Sequence, residues 1–396
     1  MGKDAFVEQE KEMSARSYVG NELKYVKQVL KSGMLSGLTG GEFTPRFEAA
    51  FAKAIGTKHA VAMNSCMSAL HAALLASGVE AGDEVICDSE FVFGAMAVLY
   101  CNAIPMFIDI NPITHNMDPD CIEPAITEKT KAIIVTHAWG LPAEMDRIVE
   151  IGHRHGLKVI EDCAESILAT YKGRCTGGWG DAGCFSFQAS KQLSLGDGGM
   201  ATMNDEEMFK GIGRHGGAPT SHSVAMGLDY NYRITEPMAA IGLAQVEVLE
   251  ETIQKLKTNA KYYDQAVEGC DWIRLQRGPA DADHSFYHWA ATFTGDDQGI
   301  SLDDFKKAVE SSGTISLTVG YTGRAAYEHP LIKDRMAHSF HCAGIDNTKE
   351  RYPKGLCPNA EHVVPRIMIG YLVETEDMAK QEADILHQVI LRIEKR

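Results

Sequence analysis

Val159-Ile160-Glu161-Asp162-Cys163-Ala164-Glu165, followed by Cys184-Phe185-Ser186-Phe187-Gln188-Ala189-Ser190-Lys191, is the stretch on which the fold turns. Each half begins as a short apolar run of strand length and ends in polar residues, the pattern of a buried strand whose carboxyl end faces a ligand. Working outwards, residues 61–63, 84–86, 105–109, 132–136 and 158–161 read as buried strands, with helical patterns at 67–77, 93–102, 119–126 and 145–155 between them. Strands separated by single helices imply right-handed crossovers and a mainly parallel sheet covered on both faces. The expected class is therefore α/β. Residues 15–55 also read as helical, with a Gly-rich break at 32–41.

From residue 236 to about 267, Ala239, Ile241, Leu243, Val246, Leu249 and Ile253 recur at roughly helical spacing, as in a connecting helix. The chain is expected to divide near it, into a large domain over 1–250 and a smaller α/β domain over 251–396. The latter mixes a strand at 286–293 with helices at 302–311 and 375–392. A chain of 396 residues, 45% of them hydrophobic, is long enough for two cores.

Composition excludes several classes. The net charge is -16, and no basic run is interleaved with aromatics, which argues against nucleic acid as a partner. Residues 1–12 mix Lys and Glu without an apolar core, so no secretory signal is expected, and no stretch approaches the roughly 20 apolar residues of a membrane span. A cytoplasmic protein is expected. The ten cysteines contain no C-x-x-C pair and read as free thiols, with neither a disulfide framework nor a metal site.

Asp162, at the end of a buried strand, either faces a ligand or caps the following helix. Lys191 follows the apolar run 183–187 and precedes Gly196-Asp197-Gly198-Gly199, which places it in a turn at the sheet edge. A desolvated lysine there has a lowered pKa and is a nucleophile able to form an imine; the plain alternative is an exposed surface lysine. Gly211-Ile212-Gly213-Arg214-His215-Gly216 fits G-x-G-x-x-G but follows a helical segment, 206–210, so the strand-turn-helix context of a dinucleotide site is missing. His153 and His155 read as solvated histidines of a surface helix.

Seven segments, in this order, carry a resemblance: Leu35-Ser36-Gly37, Asn64-Ser65-Cys66-Met67-Ser68-Ala69-Leu70, Gly82-Asp83-Glu84-Val85-Ile86, Glu161 to Glu165, Phe185 to Lys191, Gly196-Asp197-Gly198-Gly199-Met200 and Asp229-Tyr230-Asn231-Tyr232-Arg233. Over most of its length the chain resembles the DegT/DnrJ/StrS-type sugar aminotransferases, a branch of the fold type I enzymes that use pyridoxal 5'-phosphate (PLP). The resemblance implies a seven-stranded-type sheet sandwiched by helices, with Lys191 holding PLP as a Schiff base and Asp162 keeping the pyridine nitrogen protonated. It implies backbone N–H groups of Ser65, Cys66 and Met67 and the Ser186 hydroxyl on the phosphate, Phe91 stacked on the ring, and Glu165 near its phenolic side. Asn231 would reach the phosphate from a neighbouring subunit and Arg233 would meet the donor's carboxylate, which implies a homodimer. Tyr321, Arg324, His329 and residues 284–288 are candidates for the acceptor pocket.

The implied reaction transfers an amino group from L-glutamate or L-glutamine to a carbonyl of a nucleotide-linked sugar, sugar acid or cyclitol. Two residues depart from the pattern: Met67 stands where relatives have Thr or Ser, and Glu165 where Gln or His is commoner. Related alternatives are a sugar dehydratase, whose members have His in place of Lys191, an aminohydroxybenzoate-type synthase, and a PLP-binding regulatory protein without catalysis.

Overall fold

The computed structural model describes residue 18 and residues 20–216, 230–314, 316–333, 351–372 and 375–395. The reading of residues 1–12 and Asp229 of the tyrosine-rich segment lie outside these. Seven strands form the large sheet: β1 His59–Met63, β2 Glu84–Asp88, β3 Ile104–Ile108, β4 Thr130–Thr136, β5 Lys158–Asp162, β6 Ala182–Ser186 and β7 Gly199–Met203. They lie in the order β1-β7-β6-β5-β4-β2-β3. Strands β6, β5, β4, β2 and β3 run parallel to one another, and β7 runs antiparallel to both β1 and β6. The sheet is thus mainly parallel, as expected.

Alternation along the strands shows why both faces are covered. Ala60, Ala62, Phe185 and Met200 join one core, while Val61, Met63, Cys184 and Ala201 join another on the opposite face. The first core is closed by α1 Glu22–Ser32 and α2 Phe43–Ile55; the second by α3 Cys66–Ala76, buried nearly all round, and α4 Val92–Tyr100. Helix α5 Met145–Arg154 packs amphipathically through Met145 and Ile148. Helix α6 Glu206–Gly216 packs on α3, so the G-x-G-x-x-G segment lies within a helix, not at a phosphate-binding turn.

The run at 236–267 is two helices, α7 Glu236–Glu247 and α8 Leu249–Ala266, broken at Val248 (φ -116°, ψ 8°). Beyond it, β8 Ile273–Leu275, β9 His288–Phe293, β10 Leu317–Val319 and β11 Ile367–Tyr371 form an antiparallel sheet in the order β8-β9-β11-β10. Helices α8, α9 Leu302–Glu310 and α10 Glu376–Glu394 pack with it.

Two expectations are corrected. Residues 119–126 form two short 3₁₀ turns, Pro119–Cys121 and Glu123–Ala125, instead of an α-helix, because Pro124 has no N–H to continue one. The strand expected from residue 286 starts at His288, since Phe286 adopts φ 54° and interrupts the extended chain. Among the described residues no helix is long and apolar enough to cross a membrane.

Candidate active site

The carboxyl ends of β2 and β5 carry four buried acids, Asp88, Glu90, Asp162 and Glu165, and the turn after β6 brings Lys191 to Glu165. The neighbouring acids at the end of β5 part company at once. Glu161 accepts from Gly177 N, Trp179 N and Gly180 N at 2.7–2.8 Å and from His137 Nε2 at 3.0 Å, and so pins the loop after β5. Asp162 receives two bonds, both on Oδ1: Ala164 N at 3.0 Å and the Cys66 thiol at 3.9 Å. Among the described residues no donor meets Oδ2. Burial pushes Asp162 up to about 6, against the opposing pull of Ala164 N–H and Lys191. A cationic donor at Oδ2 would relieve that cost.

Lys191 lies in the turn after β6, with its side chain 14% exposed. Its Nζ is 3.3 Å from Glu165 Oε1 and 3.8 Å from the centroid of the Tyr287 ring. Burial alone would lower this amine, but the Glu165 carboxylate and Tyr287 outweigh it and hold the ammonium above the usual lysine value. The expectation of a lowered pKa is corrected accordingly: the lysine is desolvated but ion-paired. Glu165 is itself tied, its Oε2 accepting from Trp139 N at 2.9 Å.

At the other end of the site, Ser65 caps α3 by accepting from Ser68 N at 3.1 Å. Cys66 and Met67 are the first helical residues, and among the described residues no acceptor meets their N–H groups. Gly199 explains the close fit beneath them, since a Cβ there would stand 2.5 Å from Cys66 N. Ser186, at the end of β6, lies opposite Gly199. The Met67 side chain packs against the apolar core beside α3.

The remaining candidates are distributed unevenly. Phe91 is buried edge-on to Trp139, with centroids 5.2 Å apart. Asn231, exposed at φ 56°, and Arg233 flank Tyr232, whose carbonyl accepts from Asn64 N at 2.8 Å, so this segment runs beside the start of α3. Tyr321 is 48% exposed and lies 5.8 Å from the Trp139 ring. His329 is exposed and its Nδ1 accepts from Leu331 N; nothing among the described residues joins it to the lysine. His284 is likewise local, stacked on Phe286 and bonded to Gln276. His137, Glu161 and Cys163 are close enough to hold an ion. Their oxygens and nitrogens are already engaged: His137 Nδ1 accepts from Ala143 N, so Nε2 donates to Glu161.

Sequence reasoning did not single out Trp139 or Glu90, and it named Tyr287 and His288 only within the 284–288 candidates for the acceptor pocket. His288 is fully buried against Tyr287, with neither ring nitrogen bonded among the described residues.

The sequence profile of the DegT/DnrJ/EryC1/StrS aminotransferases matches residues 17–364. The chain belongs to this family. The aminotransferase is 40% identical to a GDP-perosamine synthase of Caulobacter vibrioides over 250 residues, 62% of this chain and 67% of that one. It is 35% identical to the UDP-N-acetyl-3-dehydro-alpha-D-glucosamine 3-aminotransferase of Acidithiobacillus ferrooxidans, over 81% of each chain. Among solved structures, an aminotransferase from Psychrobacter cryohalolentis superposes with a TM-score of 0.83 at 29% identity, covering 96% of this chain and 98% of that one. The aminotransferase is thus a fold type I enzyme, and it uses PLP as its cofactor.

Proposed function

We propose that this aminotransferase moves an amino group from L-glutamate or L-glutamine to a carbonyl of a nucleotide-linked sugar, with Lys191 as nucleophile and proton carrier. Sugar-acid or cyclitol carbonyls are further acceptors of the same chemistry. Similarity to two enzymes named for nucleotide-linked sugars supports the first class. The observation that carries the reading is the juxtaposition of Lys191, the open Oδ2 of Asp162 and the bare start of α3 on one sheet edge. Amine, anion and helix N-terminus match the aldehyde, ring nitrogen and phosphate of PLP.

PLP bound there supplies an electrophilic carbon and an electron-withdrawing ring that carries the amino group between two half-reactions. Asp162, whose Oδ2 meets no donor among the described residues, would hold the pyridine nitrogen and keep it cationic. The N–H groups of Cys66 and Met67, aligned with the α3 dipole, bind phosphate, and Ser186 adds a hydroxyl. When Lys191 is free, Glu165 Oε1 and the Tyr287 face hold its ammonium in place. Losing the proton makes Nζ a base, and regaining it makes Nζ an acid. Phe91, held against Trp139, would pack on the ring, and the exposed Tyr321 would line the acceptor side.

The same reading includes a homodimer in which Asn231 and Arg233 complete the neighbour's site, a division near residue 250 into a cofactor domain and a smaller one, and a cytoplasmic setting. Purified protein mixed with PLP should show a visible band that glutamate or glutamine bleaches. Lys191→Ala should abolish the borohydride-trapped covalent adduct, read by peptide mass spectrometry. An adduct retained on another lysine would refute the assignment.

A further inference from the structure

Trp139 bonds in several directions at once. Its N–H donates to Glu165 Oε2 at 2.9 Å, its carbonyl accepts from Tyr287 N at 2.9 Å, and its indole N–H donates to Glu90 Oε1 at 2.9 Å. Glu165 and Tyr287 are the two groups that flank the Lys191 amine. To aim both backbone groups this way, Trp139 adopts φ 61°, ψ 6°, a left-handed conformation that bulky residues keep only where their surroundings over-determine it. The next residue, Gly140 (φ 102°), closes the turn: a Cβ there would stand 2.8 Å from the nitrogens of Phe286 and Tyr287 and 3.1 Å from the Glu165 carbonyl. The turn therefore presses directly on both segments that hold the lysine.

We propose that Trp139 is a positioning residue for Lys191, fixing through one strained turn the carboxylate and the aromatic face between which the amine sits. The inference rests on Lys191 being the lysine that links to PLP, and it adds the residue that sets this amine's environment. The bond to Glu90 and the contact with Phe91 hold the indole, and the held indole keeps the backbone left-handed. Tyr287 immediately precedes β9, so the same turn ties the second sheet to the lysine. The other groups facing the amine are Asp162 at the end of β5, Cys66 at the start of α3 and His288 in β9. Burial and the charges of Asp88 and Glu165 push the Glu90 carboxyl far above the usual carboxylate range, which makes glutamine its close mimic.

The test is the pH dependence of Lys191 acetylation by trace acetic anhydride in the full chain before PLP is added, read by peptide mass spectrometry. Glu165→Gln should lower the labelling midpoint by about half a pH unit or more, roughly a threefold rate increase below it, because burial is then opposed by Tyr287 without the carboxylate. Trp139→Phe should shift it the same way, and the double variant no further than Glu165→Gln alone. Glu90→Gln keeps an acceptor for the indole and should leave the midpoint in place, whereas Glu90→Ala should reproduce Trp139→Phe and replaces it if that variant does not fold. A lower melting temperature with an unmoved midpoint in Trp139→Phe, or fully additive shifts, overturns the inference. Absence of a PLP adduct on Lys191 in the parent protein would instead overturn the proposed function.

Discussion

Helices α2 and α3 both begin with N–H groups that no residue of their own helix can satisfy, and the chain treats the two ends in opposite ways. At α2 the buried carboxylate of Glu236, from α7, accepts from Phe43 N at 2.8 Å and Thr44 N at 3.0 Å and also takes the Thr44 hydroxyl. Gly41 makes room for it, since a Cβ there would lie 2.1 Å from Glu236 Cδ. At α3 the cap is Ser65, which satisfies Ser68 N and leaves Cys66 and Met67 to another acceptor. A helix start filled by the protein's own anion is a joint between elements; one left open beside a buried lysine and acid is suited to an anion from outside.

The largest expected effect separates these roles. Glu236→Ala should strip two N–H groups and a hydroxyl of their acceptor and destabilise the fold by on the order of 4 kcal/mol in urea unfolding. PLP affinity of the remaining folded protein should stay close to the parent's. A loss of PLP affinity as large as the loss of stability would erase the distinction between the two helix starts.

A smaller effect sharpens the open end through Asp162. An aspartate in the unfolded chain titrates near about 4, and burial holds Asp162 at about 6. The folded protein without PLP therefore binds the extra proton between those values. This group's contribution to stability falls as pH rises through that window, by up to about 3 kcal/mol. A ring cation at Oδ2 removes the penalty, so PLP should raise the melting temperature more at about pH 7.5 than at about pH 5. In Asp162→Asn the difference should vanish. Equal stabilisation of the parent protein at both pH values would show that Oδ2 does not receive the cation.

The smallest effect concerns Met67. Its thioether packs on the core beside α3, so Met67→Thr should cost about 1 kcal/mol of stability through the space it leaves. PLP affinity should change less than about threefold if, as proposed, the backbone N–H groups bind the phosphate. Tightening by tenfold in a PLP titration would mean that the helix start lacks a hydroxyl.

Much of this was legible in the sequence. Apolar runs placed β1 to β5, and Asp162 stood out as an acid ending a buried strand. Lys191 was placed in the turn that follows β6, but only the resemblance carried by the seven segments decided its role. What escaped depends on distant segments meeting. The clamp on Lys191 joins Glu165 after β5, Trp139 after β4 and Tyr287 before β9, and no local periodicity links them. The left-handed backbone of Trp139 has no signature beyond a following glycine, because tertiary bonds impose it. The lysine's ion pair followed from no motif, so its pKa was expected on the wrong side of the ordinary value. Residues 119–126 misled because an amphipathic pattern outweighed Pro124.

Strand β1 leads directly into α3, yet it lies at the sheet's edge and its ladder partner is β7. On the ribosome residues 59–63 emerge long before residues 199–203, and pairings between distant segments form slowly. Gly199 lies under the Ser65–Cys66 peptide, so the floor of this helix start is complete only once β7 has formed. If the start of α3 seats the phosphate, cofactor capture follows the pairing of β7 and is a late event in the life of each molecule, and a chain truncated before β7 would lack both the floor of that seat and the Tyr287 face beside the lysine.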